Sequence, residues 1–441
     1  MLEFWESPAP STRMGRRCAL RVGALGMGSL SLSNMFGNHA LANSDRSKQG
    51  RSVIHVFLGG GPSHIDTFDM KPAAPVEIRG EFKPIATSLA GLTVCEHLPH
   101  LARVMDRVAV LRSVSHAEPN HLPASHWVMT GYRPTVAAPR NFNPYCGAVV
   151  SKQTGANVPG MPAYVGIPKK QIFGGAAYLG AAFNPFTTTT EPNADDFQVR
   201  SLKLPAQMNE TRLSDRAGLR HDLDRLAHQI EQTAEEQSWD LFTRDALKMV
   251  TNPAVRNAFN IEREPASIRE FYGRTITGQR CLLARRLVES GATFVTVLSG
   301  GEWDTHFKNF EVLKNNSLPL LDRAIAALVT DIYQRGLDER VLVVVSGEFG
   351  RTATINKEGG RDHWPGAMTL LFAGGGMKVG QVIGATDSRA MYPTTKPHSP
   401  GDVLATIYDF LGVSTDVEFN DATGRPLPLL PEGRPIAELY G

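Results

Sequence analysis

Cysteine is scarce in this chain: four among 441 residues (Cys18, Cys95, Cys146 and Cys281), none in a CxxC pair. That excludes a disulfide scaffold and a zinc ribbon. An excess of one charge is lacking too. The 46 Lys and Arg residues stand against 44 Asp and Glu, a net +2, well short of the basic surplus of phosphate-backbone binders, so no nucleic acid is expected as a partner. Beyond the first forty residues no apolar run reaches the 18 or so residues of a membrane span, so the mature chain is expected to have none. No internal repeat is visible. What the chain has in quantity is glycine (41) and proline (29), which points to many defined turns between regular elements. With 42% hydrophobic and 20% charged residues the whole reads as globular rather than disordered or fibrous.

Arg16 and Arg17 precede a moderately apolar run from Val22 to Leu32, and Ala40-Leu41-Ala42 supplies small residues at a cleavage position. This pattern is that of a twin-arginine signal peptide over residues 1–42. An amphipathic first helix is the other reading, weakened by the glycines in the run. Cleavage near Asn43 would yield a periplasmic or secreted protein, with the export machinery as a partner. Arg13, Arg16, Arg17 and Arg21 against Glu3 and Glu6 account for the net +2, so the mature chain is balanced in charge.

Near-continuous hydrophobic runs at Ser52–Leu58, Arg107–Leu111, Thr293–Leu298, Val341–Val345 and Met368–Phe372 predict strands buried on both faces of a parallel sheet. Between them, three- and four-residue apolar spacing predicts helices over Leu98–Met105, Arg216–Val250, Ser267–Ser290, Leu318–Arg335 and Pro400–Leu411. The alternation predicts an α/β fold, a three-layer α/β/α sandwich around a mostly parallel, doubly wound sheet. Residues 43–441 read as one domain with a loop-rich insertion at about 133–205, rich in Pro, Gly, Asn and Thr and suited to a substrate-facing cap.

Ligands of open α/β sheets sit beyond the carboxyl ends of the strands. Polar residues collect there: Asp66 within GGGPSHIDTFD, His116 and His121 within SVSHAEPNH, Asp304 and His306 within GGEWDTH, Glu348 and Arg351 within SGEFGR, and His363 within GRDHWP. Singly, each has a structural explanation, Asp66 as a helix cap and Asp304 with His306 as a turn. Together, imidazoles and carboxylates suit one or two divalent ions, with zinc, calcium, manganese and iron not distinguishable. Neither the triple glycine at 59–61 nor that at 374–376 has the spacing of a phosphate loop.

The twin-arginine start with GGGPSHIDTFDMKP, RSVSHAEPNH, ASHWVMTG, GGEWDTHFKNF, SGEFGRT and GRDHWPGA resembles the bacterial exported proteins of domain-of-unknown-function family 1501, grouped near the sulfatase and alkaline phosphatase superfamily. The resemblance implies an alkaline phosphatase/sulfatase-like fold. It implies a metal role for Asp66, for Glu348 in the segment similar to TSDHG, and for the late histidine His363. Pro123–Pro134 is similar to the sulfatase segment PSRAALLTGRYP, and the position two residues before its proline, a nucleophile in sulfatases, is His121 here. Phe349 stands where the superfamily has a metal histidine. His116 and His121 would then rebuild the metal set.

The resulting expectation is an exported metal-dependent hydrolase of phosphate or sulfate esters. Water activated by the metal would attack, because His121 offers no hydroxyl. His121 and Arg351 are the expected catalytic residues, Arg351 holding the anionic group. Asp66, His116, His121, Asp304, His306, Glu348 and His363 are the expected ligands. A small anionic ester or a sulfated glycan is the expected substrate. The alternative is a non-catalytic sulfatase-like protein that binds a glycan or a protein outside the cytoplasm, favoured by the loss of the hydroxyl nucleophile and of one metal histidine.

Overall fold

Strand β1 (Ser52–Phe57) is buried along its whole length, as its unbroken apolar run requires. It lies at the centre of an eight-stranded sheet in the computed structural model, which describes residues 50–441 apart from 135, 200–201 and 203–248. The expected signal peptide over residues 1–42 lies outside the described residues, as does the expected helix from Arg216 up to residue 248. Gly50–Gly441 forms one compact unit. No helix of the described residues is long and apolar enough to cross a membrane.

The other strands of the sheet are β2 (Val108–Val114), β3 (Tyr164–Ile167), β4 (Phe186–Thr187), β5 (Phe294–Leu298), β6 (Val341–Ser346), β9 (Met368–Gly374) and β10 (Gln381–Ile383); β7 (Gly350–Arg351) and β8 (His363–Trp364) form a separate ribbon. Their order is β10-β2-β9-β6-β1-β5-β3-β4. β1 pairs in parallel with β5 and β6, whereas β9 runs antiparallel to both β6 and β2. Its apolar run does not betray this direction. The chain returns from β6 to β9 through the β7–β8 ribbon without a crossover helix, and a parallel return needs one. The reversal brings the amino end of β9 to the same sheet edge as the carboxyl ends of β1, β5 and β6.

Period-two alternation sends the sheet's side chains to two cores. Ile54, Val56, Val295, Val297 and Val343 pack against α3 (Ile276–Glu289) and α4 (Leu318–Gln334) through Leu283, Leu287, Leu321, Ile325 and Leu328. Val53, Phe57, Phe294, Leu342 and Val344 pack on the opposite side against α1 (His121–Thr130), α2 (Cys146–Gln153) and α5 (Pro400–Leu411). These are the three expected layers. α5 begins and ends where the sequence indicates: Ser399 and Asp402 close a capping box, Pro400 takes the first turn, and Gly412 ends the helix at φ 74°.

Within the loop-rich segment 133–205 lie α2 and the strands β3 and β4 of the sheet. Two expectations are corrected. The Ser267–Ser290 helix is broken into Ala266–Tyr272 and α3, because Gly273 takes φ 86° and Thr275 caps the new start by accepting from the Gly278 N–H. Leu98–Met105 shrinks to one turn, Pro99–Ala102, before a 3-10 turn at Met105–Arg107.

One buried polar chain crosses the second core. The His55 ring nitrogens face the Tyr145 hydroxyl at 2.6 Å and the Ser346 hydroxyl at 2.8 Å. Burial pushes the imidazole pKa down to about 4. Between about pH 6.5 and pH 4 the unfolded chain binds a proton that folded His55 refuses. Stability is therefore full above this window and falls with pH inside it, by up to about 3 kcal/mol from this residue. Urea unfolding at pH 7 and pH 4.5 should show a smaller acid loss in His55→Gln than in the wild type; an equal loss would remove His55 as its source.

Candidate metal centre

The edge where strand ends meet carries the loops of interest. Loop 299–308 follows β5 with Asp304 and His306, Glu348 follows β6, His121 is the first residue of α1, and His363 opens β8 opposite Arg351. Gly360 permits the close packing of two of these loops. A Cβ there would lie 1.9 Å from the backbone oxygen of His306, so a side chain would push the 306 loop away.

Three imidazoles converge on Asp304. His121 Nδ1 lies 2.6 Å from Glu348 Oε1, His306 Nδ1 lies 2.8 Å from Asp362 Oδ1, and His363 Nδ1 lies 2.7 Å from the Pro119 carbonyl oxygen. None of these oxygens carries a hydrogen when the carboxylates are ionised, so each Nδ1 is the donor and each neutral ring turns a lone pair on Nε2 inward. His306 Nε2 and His363 Nε2 are 2.9 Å apart, and each is 3.2 Å from Asp304 Oδ1. His121 Nε2 lies 3.2 Å from Asp304 Oδ2 but off the hydrogen-bonding direction, leaving it buried without a partner. Ligand atoms of His121, Asp304 and His363 all fall within 4.8 Å of one another.

Two lone pairs at 2.9 Å repel unless a proton or a cation lies between them. A tetrahedral ion with bonds of about 2.1 Å separates its ligands by roughly 3.4 Å, close to the spacing found. The rings' outer nitrogens are anchored as in histidine metal sites, where a carboxylate or carbonyl fixes the tautomer. The residues present fit a divalent ion.

The surrounding charges tune Asp304, His121 and His363. Burial works against an ionised Asp304, yet the Arg351 guanidinium at 2.5 Å outweighs it and holds the carboxyl down at about 2. For His121, burial is outweighed by the Glu348 hydrogen bond and the charges of Glu348 and Asp304, and its pKa rises. For His363, burial and the nearby Arg351 charge lower it. The buried Phe349 ring sits 4.9 Å from that of His121 and 4.6 Å from that of His363. Phe349 is thus an apolar wall behind the two rings.

Four residues expected in the site have other work. Asp66 is fully buried in a two-pronged pair with Arg361 at 2.7 and 2.8 Å, and its Oδ2 also accepts from Ser63 and Asn309. Its oxygens are spent. His116 donates from Nε2 to the Glu348 carbonyl at 2.6 Å and accepts the Glu118 N–H on Nδ1, so neither nitrogen is free for an ion. Glu348 orients His121 from behind and accepts the Gly60 N–H. Arg351 is fully buried and bonds the Gly60, Gly61, Trp303 and Arg361 carbonyls and Asp304, which leaves it no exposed donor with which to hold an anion. Sequence reasoning missed the orienting roles of Asp362 and the Pro119 carbonyl. Only the adjacency of Asp362 to His363 hinted at the first.

No curated protein matches the chain. Among solved structures it is similar to the PsFucS1 sulfatase from Pseudoalteromonas sp., at 12% identity and TM-score 0.38, over 85% of this chain and 70% of that one. It is also similar to the phosphonate monoester hydrolase SpPMH from Silicibacter pomeroyi, at 10% identity and TM-score 0.32, over 88% and 76%. A third is the C-terminal periplasmic domain of EcEptC from Escherichia coli in complex with Zn, at 11% and 0.32, over 84% and 85%. At the level of sequence, residues 50–440 match the profile described as protein of unknown function DUF1501, and the chain belongs to that family.

Proposed function

We propose that the chain is an exported, metal-dependent hydrolase of phosphate or sulfate esters whose ion is held by His121, Asp304, His306 and His363. The observation that carries the reading is the inward convergence of three Nε2 lone pairs on one carboxylate, each ring anchored behind by a hydrogen-bond acceptor. Three imidazoles and one carboxylate favour zinc, manganese or iron and disfavour calcium, which prefers an all-oxygen shell. Such an ion supplies Lewis-acid chemistry, polarising the ester and bringing the pKa of water from about 15.7 toward 7.

The chain's own groups supply the rest. Arg351 keeps Asp304 ionised across the physiological range. Glu348, Asp362 and the Pro119 carbonyl hold the three Nδ1 protons outward. His121 opens α1 without a side-chain cap from Asn120, so the partial positive charge at the helix start lies beside the cluster and favours an anionic ester. The absence of a hydroxyl at His121 supports attack by water. Arg16 and Arg17 support export to the periplasm or beyond.

Metal analysis of the purified full chain tests the reading first, with about one equivalent of zinc, manganese or iron expected. Turnover of 4-nitrophenyl phosphate or sulfate should vanish with a chelator and return with the ion. A metal content below about 0.2 equivalents would sink the reading. Full metal with no turnover of either ester class, but retention on a sulfated glycan, would establish the non-catalytic alternative.

A further inference from the structure

We propose that Arg133 is the cationic side chain that holds the acidic group of the substrate at the mouth of the metal cluster, in the place that Arg351 was expected to fill. The inference rests on the hydrolase reading and names its specificity residue.

A tetrahedral oxyanion calls for a guanidinium with free donors and a route to the cluster. Arg351 and Arg361 are fully buried and their donors are consumed by carbonyls and carboxylates. Lys308, two residues beyond His306, is exposed but turns toward Glu311 at 3.6 Å, one helical turn along its own segment. Arg133 differs from all three. Its side chain is 54% exposed, and its one ion pair among the described residues is a long 3.3 Å contact from Nη2 to Glu118 Oε2. Of five N–H donors that pair uses one. A partly exposed pair of this length contributes little, so an incoming oxyanion can displace or share it.

The guanidinium is nevertheless positioned. It stacks over the Trp127 ring at 5.6 Å, and that ring lies 5.4 Å from His116, which restricts the side chain before any ligand arrives. Glu118, the residue it touches, is pinned by its own loop, with Oε1 accepting the Asn120 backbone and side-chain N–H groups at 3.2 and 3.0 Å. The next residue, Pro119, holds the Nδ1 proton of His363, and His121 follows two positions later. The segment Glu118–His121 therefore carries both the perch of Arg133 and two walls of the metal cluster. Its three residue steps span at most about 10 Å, within reach of an extended arginine and a sulfate or phosphate group.

Isothermal titration of the zinc-loaded full chain with inorganic phosphate and with inorganic sulfate tests this. Arg133→Ala should weaken both anions tenfold or more, Arg133→Lys should recover part of the loss, and Lys308→Ala should stay within about twofold of the wild type. Zinc content should be the same in all four proteins. In turnover, Arg133→Ala should raise KM for 4-nitrophenyl phosphate and leave KM for the neutral 4-nitrophenyl acetate unchanged. Anion affinities within about twofold of wild type in Arg133→Ala, or no binding of either anion by the wild type, would overturn the inference. Anion binding that depends on Arg133 in a protein that hydrolyses no ester would uphold it and strike the hydrolase reading instead.

Discussion

His363→Ala is expected to empty the metal centre, taking bound metal from about one equivalent to below about 0.2 and abolishing chelator-sensitive ester turnover with it. His363 is the residue to remove because its Nε2 touches two partners at once, His306 at 2.9 Å and Asp304 at 3.2 Å. Deleting it leaves His306 and His121 on opposite sides of a carboxylate with no third nitrogen to close the set. The side chain is partly exposed and belongs to a short ribbon outside the main sheet, so its loss should leave the fold intact by circular dichroism. Glu348→Gln is the informative contrast. It keeps every ligand but lets an amide present either its oxygen or its NH2 to His121 Nδ1, and groups in that position typically shift metal affinity by about 10–100-fold. Competition against a chromophoric zinc chelator separates the two variants: loss of stoichiometry in the first, a weakened constant at full stoichiometry in the second. Wild-type zinc affinity in His363→Ala would mean that the four residues do not form the centre.

The sequence exposes the parts of this protein whose physics is local. Ser52–Phe57 is one apolar run, buried on both faces, and needs only its own residues to be recognised. Ser399, Pro400, Asp402 and Gly412 mark both ends of α5 by capping chemistry alone. What was not legible depends on partners far along the chain. The direction of β9 is set by the ribbon before it, not by Met368–Gly374. Tyr164–Ile167 is only four residues long and flanked by Pro and Gly, so its run is too short to stand out from the loops around it. The site divides in the same way. Clusters beyond strand ends do gather at one edge of the sheet, yet His116 and His121 are the same residue type five positions apart. Only the Glu348 carbonyl on one side of His116 and the Glu118 N–H on the other show that its nitrogens are taken. Asp66 and Asp304 differ likewise by their arginines. Arg361 closes on both oxygens of Asp66, whereas Arg351 touches one oxygen of Asp304 and leaves the other toward His121.

That difference sets the second large effect. Asp66→Ala should cost about 3–5 kcal/mol of stability, because it strands the Arg361 guanidinium with no exposed surface and no counter-charge. Four hydrogen bonds end on the lost carboxylate, from Arg361 twice and from Ser63 and Asn309 once each. For a folded unit of this size the loss corresponds to a melting shift of about 5 °C. Adding Arg361→Met should return part of it, since a buried ion pair replaced as a whole by apolar groups is often neutral while a half-removed pair is not. The arginine's remaining donors bond the carbonyls of Thr352, Ala353 and Ile78, so the double variant should recover only partly. Metal content separates this account from the superfamily expectation for Asp66. If Asp66 pairs Arg361 and nothing else, Asp66→Ala keeps about one equivalent of zinc below its lowered melting point; an aspartate that ligated the ion would lose the zinc at little cost to the chelated protein. Measuring melting temperature and zinc in both variants, with and without chelator, decides between the two, because burial of the pair makes the stability loss independent of metal.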